Sequence, residues 1–138
     1  MNYSKDFLVY TDILIPNKHE AENLSGIKVN SIDSAFEAAE VIRKYGVKIV
    51  IVTLGSEGLI AITDSEKIRL PSVKIDVADT TGAGDSFCAG FTYGITEGMT
   101  IREALIFANS CAAICCSKIG ALPIMPYKKE VLQLLQKS

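Results

Sequence analysis

Residues 79–91 read DTTGAGDSFCAGF, a polar turn with two glycines that runs directly into an apolar segment of small residues. The pattern predicts a helix that begins in the turn, with its first backbone N–H groups pointing at whatever lies over it. Such a helix end attracts anions because the helix dipole adds partial positive charge there. Gly82 and Gly84 allow the backbone to approach a ligand closely. We refer to residues 79–85 as the glycine turn.

Asp85 is expected in the first turn of this helix, beside the predicted anion site. A carboxylate next to a bound phosphate is suited to take the proton of an attacking hydroxyl. The alternative interpretation is structural: the glycines form an ordinary loop, and Asp85 only complements the helix dipole.

The composition limits the class of protein. The chain has 138 residues, 49% of them apolar, which is enough for one domain or part of one. Lys plus Arg and Asp plus Glu give a formal charge of 14 − 16 = −2, with no basic tract, which argues against binding to nucleic acid or to a membrane surface. No apolar signal segment follows Met1, and the longest charge-free apolar segment, residues 104–117, is too short and too polar to span a bilayer. We therefore expect a cytoplasmic protein.

The four cysteines are Cys88, Cys111, Cys115 and Cys116. Cys111 and Cys115 are one helical turn apart, but a second pair with zinc-like spacing is missing. Small buried thiols that pack between helices are the favoured interpretation. Reduced thiols also agree with the cytosol.

The first half of the chain alternates predicted strands and helices. Its clearest strand is the nearly continuous apolar run at 47–54, which is typical of a strand buried on both faces of a parallel sheet. Ser34 and Glu37 form a possible capping box, which predicts a helix from there to Tyr45. The predicted elements are a strand at 12–15, a helix at 17–24, a helix at 34–45 with Ala35, Ala38, Ala39, Ile42 and Tyr45 on its buried face, a strand at 47–54, and a hairpin of strands at 59–63 and 67–73 with its turn at 64–65.

The second half is predicted to be helical, with a helix from the glycine turn to about Gly98. A second helix at 101–118 has an apolar stripe that includes Leu105, Cys115 and Ile119. A third helix opens near Pro126 and directs Val131, Leu132 and Leu135 inward. The order of elements indicates an α/β layered fold. Because only one strand has the fully buried pattern, we interpret residues 1–138 as a single partial domain of a larger fold.

Four motifs together resemble the ribokinase family, the PfkB-type carbohydrate kinases. Residues 79–91 match the second signature of that family. PNKHE at 16–20 resembles its N-x-x-E element, TLGSEG at 53–58 resembles its nucleotide-contacting loop, and GALP at 120–123 resembles the segment near its monovalent-cation site. Residues 12–135 look like the C-terminal half of such a kinase, with the closest likeness to the ribokinase branch. The resemblance implies the ATP-binding part of a three-layer α/β/α fold, without the N-terminal half and its lid.

The resemblance also implies the reaction, phosphoryl transfer from MgATP to a sugar hydroxyl. Asp85 would be the catalytic base. The N–H groups of Gly82, Ala83, Gly84 and Asp85 would stabilise the charge that develops on the phosphoryl group. Glu20 would organise Mg²⁺ and its waters together with Asn17, although Asn17 and Glu20 equally fit a helix cap that needs no ligand. His19, between them, is expected to be solvated.

Further residues of the nucleotide site follow from the same resemblance. Thr53, Gly55, Ser56 and Gly58 would face the ATP phosphates or ribose, because ligands of open α/β sheets bind beyond the carboxyl ends of strands. The alternative for the glycines is a plain hairpin turn. Asn109 would lie beside the adenine, or it bonds a neighbouring loop.

A K⁺ site is the last implied feature. Asp79 and Thr81 would supply oxygens, and carbonyls near Cys115, Lys118 and Gly120 would complete the coordination. The alternative is ordinary hydrogen bonding in a loop and a helix cap. Ile124 stands where the family often has a hydroxyl residue, which removes one possible ligand.

Because the sugar-binding elements of the family precede the residues matched here, the chain is expected to bind MgATP and to be inactive alone. A sugar would bind only if the N-terminal half were supplied. Two alternatives remain: a non-catalytic oligomerising module and a nucleotide-binding module. In each case we expect a homo-oligomer, because half of a layered fold exposes strand edges and apolar faces.

Overall fold

The computed structural model describes residues 4–119 and 125–138. The chain divides into two compact units, Met1–Pro71 and Ser72–Ser138. Gly120 and Ile124, together with the rest of the GALP segment, lie outside the described residues. Within the described ranges, no helix has both the length and the apolar character needed to cross a membrane.

The first unit contains a four-stranded sheet whose strands lie side by side in chain order. They are β1 (Ile13–Leu14), β2 (Ile49–Thr53), β3 (Leu59–Ile62) and β4 (Lys67–Leu70). β2 is parallel to β1 but antiparallel to β3, and β4 is antiparallel to β3. The sheet is therefore mixed. β2 was expected to lie in a parallel sheet, and this is right for its pairing with β1 but wrong for its pairing with β3. The predicted burial is confirmed, since Val50, Ile51 and Val52 are completely buried.

Two helices pack in the same unit, α1 (Lys18–Ser25) and α2 (Ile32–Arg43). α1 ends at Gly26, whose positive φ of 77° closes the helix. The N-cap of α2 lies three residues earlier than predicted, at Ser31, whose hydroxyl accepts the Ser34 N–H at 3.1 Å. Ser34 Oγ accepts the Ser31 N–H at 3.0 Å in return, so a serine takes the position at which a capping box usually has Glu or Gln. The predicted box of Ser34 and Glu37 is therefore wrong.

The buried face of α2 is largely as predicted. Ala35, Ala38, Ala39 and Ile42 are fully buried in the core of the unit. Tyr45 is 40% exposed, because the helix ends at Arg43 and the chain turns before reaching it. A 3₁₀ turn at Asp6–Tyr10 adds Leu8 to the same core.

The second unit is helical, with α3 (Ala83–Thr96), α4 (Ile101–Cys116) and α5 (Lys128–Gln136). α3 packs closely on α4 because the residues at the contact are glycines, Gly90 and Gly94, which have no side chain. A Cβ on Gly90 would lie 2.7 Å from the Cys111 sulfur, and one on Gly94 would lie 2.9 Å from the Ala104 Cβ.

Two apolar side chains of this unit do not face inward as predicted. Ile119 lies beyond the end of α4 and is 77% exposed. Leu132 of α5 is 41% exposed, whereas Val131 is buried and Leu135 packs against its cluster. Ile119 is exposed because α4 ends before it. Leu132 is exposed because it lies on a face of α5 that does not meet α4.

Candidate functional site

The glycine turn leads into α3 as the sequence predicts. Gly82 is the N-cap, with a positive φ of 79° that favours glycine. The Ala83 N–H donates to the Thr80 carbonyl at 3.2 Å, and the Ser86 N–H donates to the Gly82 carbonyl at 2.9 Å. Between them, the N–H groups of Gly84 and Asp85 have no acceptor in the part of the chain that the structure describes. The helix end thus presents two free donors, as an anion site requires.

Asp85 lies in the first turn of α3 and its side chain is exposed to solvent. Gly84 is exposed beside it, and apart from its chain neighbours and the nearby helix backbone no heavy atom of the described residues lies within 4 Å of the position a Cβ would take there. Free N–H groups and an unobstructed carboxylate therefore occur at the same helix end. This arrangement can bind an anion and accept a proton at adjacent positions.

The start of the glycine turn is held by its own side chains. Asp79 Oδ1 accepts the Thr81 N–H at 2.9 Å and the Thr81 hydroxyl at 2.8 Å. The backbone hydrogen bond from Thr81, followed by the side-chain one, lowers the pKa of Asp79. These are the loop bonds of the structural alternative, and they favour the ionised form of Asp79 with its oxygens close to Thr81.

The end of α4 contacts the glycine turn. The Cys116 carbonyl accepts N–H groups from Ala78 at 2.8 Å and from Asp79 at 3.1 Å. The Cys115 thiol donates to the Thr81 carbonyl at 3.5 Å. Burial raises the pKa of Cys115, so this thiol remains a donor at neutral pH. The structure therefore brings Asp79, Thr81 and Cys115 together, as a shared cation site would require.

Lys118 lies just beyond α4, where its N–H donates to the Cys115 carbonyl at 3.2 Å and its ammonium pairs with Glu130 at 2.7 Å. Gly120, the last predicted member of the cation site, is outside the described residues. No group of three or more His, Cys, Asp or Glu side chains suited to a metal occurs within residues 4–119 and 125–138. The oxygens near Thr81 and Cys115 are carbonyl and hydroxyl groups, a donor set that suits a hard cation.

In the first unit, the other predicted residues meet at the carboxyl end of β2. The Thr53 N–H donates to the Pro16 carbonyl at 3.0 Å, and Asn17 forms a parallel bridge with Thr53. The cap of α1 therefore lies beside the carboxyl end of β2. The turn at 55–58 follows directly, so Asn17, Thr53 and this turn are neighbours.

The 55–58 turn is a short 3₁₀ segment closed by hydrogen bonds from Leu54 N–H to the Gly58 carbonyl at 2.8 Å and from Gly58 N–H to the Gly55 carbonyl at 3.1 Å. Gly55 and Gly58 both have positive φ, at 59° and 88°. Gly55 and Ser56 are exposed, whereas Gly58 is buried. The turn joins antiparallel strands, as its structural alternative predicts, and it leaves Gly55 and Ser56 open to a ligand.

Asn17 and Glu20 form the predicted reciprocal cap. Asn17 Oδ1 accepts the Glu20 N–H at 3.0 Å, and Glu20 Oε2 accepts the Asn17 N–H at 2.8 Å. One oxygen of the Glu20 carboxylate is thus engaged in capping. His19 is 84% exposed and lies 3.5 Å from the Glu22 carboxylate, in agreement with a solvated histidine.

Asn109 is half-buried in α4. None of the four cysteines is in a disulfide; Cys111 and Cys115 are buried and Cys116 is half-buried, but Cys88 is exposed. The expectation of buried thiols is wrong for Cys88, which lies on the solvent side of α3. Burial raises the pKa of Cys111 to about 11.

Sequence reasoning missed Ser86. Its side chain is buried and its hydroxyl donates to the Cys111 carbonyl at 3.1 Å, which connects α3 to α4. The available signal was a hydroxyl directly before the apolar residues 87–91, where a buried polar group must find a partner.

Comparison with known proteins gives a consistent result. The profile described as "pfkB family carbohydrate kinase" matches residues 1–128. The ribokinase of Arabidopsis thaliana is 40% identical over 127 residues, which are 91% of this chain and 34% of that protein. Its structure, described as complexed with ribose and ATP, superposes with a TM-score of 0.93 at 37% identity and covers 100% of this chain and 46% of the other.

A structure from E. coli, described as a putative ribokinase II in complex with ATP and Mg²⁺, gives a TM-score of 0.85 at 28% identity, with 97% of this chain and 42% of the other covered. The chain thus spans less than half the length of these relatives and matches their C-terminal part.

Proposed function

The chain belongs to the pfkB family of carbohydrate kinases, and from this membership we propose that it is the ATP-binding part of an enzyme that transfers a phosphoryl group from MgATP to a sugar hydroxyl. The observation that carries the proposal is the end of α3, where the free N–H groups of Gly84 and Asp85 lie beside the exposed Asp85 carboxylate. Phosphoryl transfer to a hydroxyl needs donors for the phosphate charge and a base for the hydroxyl proton at one place.

In this proposal, Asp85 removes the proton of the attacking sugar hydroxyl. The N–H groups of Gly82, Ala83, Gly84 and Asp85 stabilise the negative charge that develops on the transferred group. The N–H of Ala83 already donates to Thr80, so Gly82, Gly84 and Asp85 are the donors available without rearrangement. Gly84 allows close approach because no side chain covers its N–H.

The residues at the carboxyl end of β2 in the first unit are proposed to hold other parts of the nucleotide. Thr53, Gly55, Ser56 and Gly58 contact the phosphates or ribose, with Gly58 acting by shaping the turn. Glu20 and Asn17 orient the water shell of the Mg²⁺ that accompanies ATP, a role compatible with a carboxylate. Asn109 of the second unit is proposed to lie beside the adenine.

The K⁺ proposal assigns the cation to the oxygens of Asp79, Thr81 and the chain near Cys115, Lys118 and Gly120. Support comes from the contacts of Asp79 and Thr81 with the end of α4. If these residues hold a cation, MgATP should bind more tightly in K⁺ than in Na⁺ at matched ionic strength, and Asp79→Asn should reduce the difference. Equal affinity of the wild-type chain in both salts would remove K⁺ from the proposal.

The reaction itself is tested with the chain alone and with a second polypeptide that supplies the N-terminal half of a ribokinase. Alone, the chain should bind MgATP weakly and phosphorylate no sugar. Holding two reactants in line contributes roughly 7–11 kcal/mol in well-oriented systems, and the sugar-holding half is absent from the matched region. In the reconstituted enzyme, Asp85→Asn should abolish most turnover with little change in ATP affinity.

Three outcomes would contradict this proposal. Failure of the chain to bind MgATP would favour the alternative of a non-catalytic oligomerising module. Robust ribose phosphorylation by the chain alone, absent from the Asp85→Asn control, would show that the chain is a complete enzyme. Nucleotide binding without turnover in any reconstitution would favour a nucleotide-binding module.

A further inference from the structure

Ser86 makes a hydrogen bond that is unusual for a hydroxyl residue within a helix. Its Oγ is 3.1 Å from the carbonyl of Cys111 in α4, and the residue is 2% exposed. Thr92 and Ser110, by comparison, donate to carbonyls four residues earlier in their own helices, at 2.8 and 3.0 Å. Ser86 therefore connects two helices where these other hydroxyls remain within one.

We propose that Ser86 is a positioning residue, whose bond to α4 sets the orientation of the first turn of α3 and so of Asp85 and its neighbouring N–H groups. The inference rests on the proposed function, because it concerns the same helix end. Ser86 does not contact the reacting atoms in this account; it acts through the residue before it.

The geometry of a helix explains how this works. Consecutive residues point about 100° apart around the axis, so a Ser86 side chain fixed toward α4 leaves Asp85 on a different, exposed side. The Ser86 N–H also makes the first bond of the helix, to the Gly82 carbonyl at 2.9 Å. One residue thus anchors the glycine turn from within α3 and anchors α3 to α4.

The residue that provides the acceptor, Cys111, is closely packed between the two helices. The Cys111 side chain packs against Gly90, one turn further along α3, so closely that a Cβ on Gly90 would lie 2.7 Å from its sulfur. The N-cap lacks a side-chain hydrogen bond, and Gly82 and Gly84 give the turn wide conformational freedom. The Ser86 bond supplies restraint from outside the turn, together with the contacts from Cys115 and Cys116.

The experiment measures MgATP affinity by titration calorimetry and unfolding by urea for the full chain and three variants. Ser86→Ala should weaken MgATP binding by roughly threefold to tenfold, because losing one net hydrogen bond lowers the population of the binding-competent turn. Ser86→Thr keeps the hydroxyl and should restore most of the affinity.

Ser110→Ala is the matched control. Ser110 is also 2% exposed, and its replacement by alanine also removes one hydrogen bond. The lost partner is the Ile106 carbonyl, which belongs to the same helix. It should lower stability to a similar degree and leave MgATP affinity unchanged. If Ser86→Ala does not fold, Ser86→Cys, with a weaker donor of similar shape, should fold and bind with intermediate affinity.

The outcomes separate the inference from the proposed function. Wild-type affinity in Ser86→Ala, or in Ser86→Cys where that variant replaces it, overturns the positioning role and leaves the proposed function intact. The same is true of an equal loss of affinity in Ser110→Ala, which would indicate a general effect of stability. No MgATP binding by the wild-type chain overturns the proposed function and, with it, this inference.

Discussion

Two glycines of α3 differ in what surrounds them, although the sequence shows both within one short helical segment. A Cβ at Gly90 would lie 3.1 Å from the Ala108 Cα as well as 2.7 Å from the Cys111 sulfur. The backbone atom cannot move aside without separating the helices. At Gly84 the same position is open, with no described residue within 4 Å apart from its chain neighbours and the nearby helix backbone.

Gly90→Ala should therefore lower the free energy of unfolding by about 1–3 kcal/mol, the usual cost of overpacking a core. Gly84→Ala should instead raise it by roughly 0.5–1 kcal/mol, because alanine favours a helix more than glycine does. Its methyl group would crowd the exposed N–H groups and weaken MgATP binding. Urea denaturation of both variants checks the prediction, and equal stability changes would contradict it.

The Cys111 thiol gives a prediction about pH. Burial raises its pKa from an ordinary 9.0 to about 11. Between these values the unfolded chain releases a proton that the folded chain keeps, so the free energy of unfolding should fall as the pH rises from 9 to 11. Below this range Cys111 makes no contribution to the pH dependence.

Cys111→Ala isolates this contribution, because Tyr and Lys titrations remain in both proteins. Urea unfolding from pH 8 upward should show a shallower decline for the variant above pH 9 than for the wild type. Parallel curves would mean that the folded protein does not protect this thiol from ionisation.

At the scale of elements, the helix caps carry both structure and possible function. α1 begins with the reciprocal bonds of Asn17 and Glu20, and α4 begins with those of Thr100 and Glu103. Backbone and side-chain bonds from Thr100 lower the pKa of Glu103, as expected for a carboxylate that only caps. The α1 cap differs in its location, because Asn17 also pairs with the end of β2.

Substitutions in the α1 cap can separate capping from a role with Mg²⁺. Asn17→Ala removes the acceptor of the Glu20 N–H and should cost about 1 kcal/mol of stability. Glu20→Gln keeps a side chain that can cap and should change stability by only a few tenths of a kcal/mol to about 1 kcal/mol, but it removes the charge. If Glu20 orients Mg²⁺, MgATP affinity should fall in Glu20→Gln, with Glu103→Gln as the matched control in α4. Unchanged affinity would leave the cap as its role.

At the scale of the whole molecule, the edges of the sheet differ in character. β4 carries exposed Lys67 and Arg69, and such charges discourage pairing with another strand. β1 pairs only with β2 among the described strands. Near it, Val9 and Tyr10 of the preceding 3₁₀ turn are 63% and 90% exposed, with Phe7 and Ile13 also partly exposed. The β1 side is therefore the more favourable edge for association.

We predict that the chain forms a homo-oligomer through this side. Light scattering over a dilution series should show association, and Val9→Lys should weaken it by placing a charge on the exposed apolar surface. Leu132→Lys is the control, because Leu132 is an exposed apolar residue of α5 in the other unit. A monomer at all concentrations, or equal effects of the two substitutions, would contradict this assignment.

Several features that depend on neighbouring residues were determined by the sequence alone, although the cap of α2 was predicted at Ser34 and lies at Ser31. The start of α3 at the glycine turn, the cap at Asn17 and the end of α1 at Gly26 depend on hydrogen bonds between residues within about four positions. The apolar run of β2 likewise predicted burial, because burial on both faces requires apolar side chains at consecutive positions. The family signature at 79–91 identified the family for the same reason: all of its residues are contiguous.

The tertiary structure decided what depends on partners distant in the chain. The apolar run could not indicate that β2 lies antiparallel to β3, since the pattern reports burial and not strand direction. The exposure of Tyr45, Cys88 and Ile119 depends on where helices end and which face meets a neighbour. The bond from Ser86 to Cys111 joins residues 25 positions apart. Only the packing of α3 on α4 brings that hydroxyl and that carbonyl together, because hydrogen bonding between helices requires their backbones to be close.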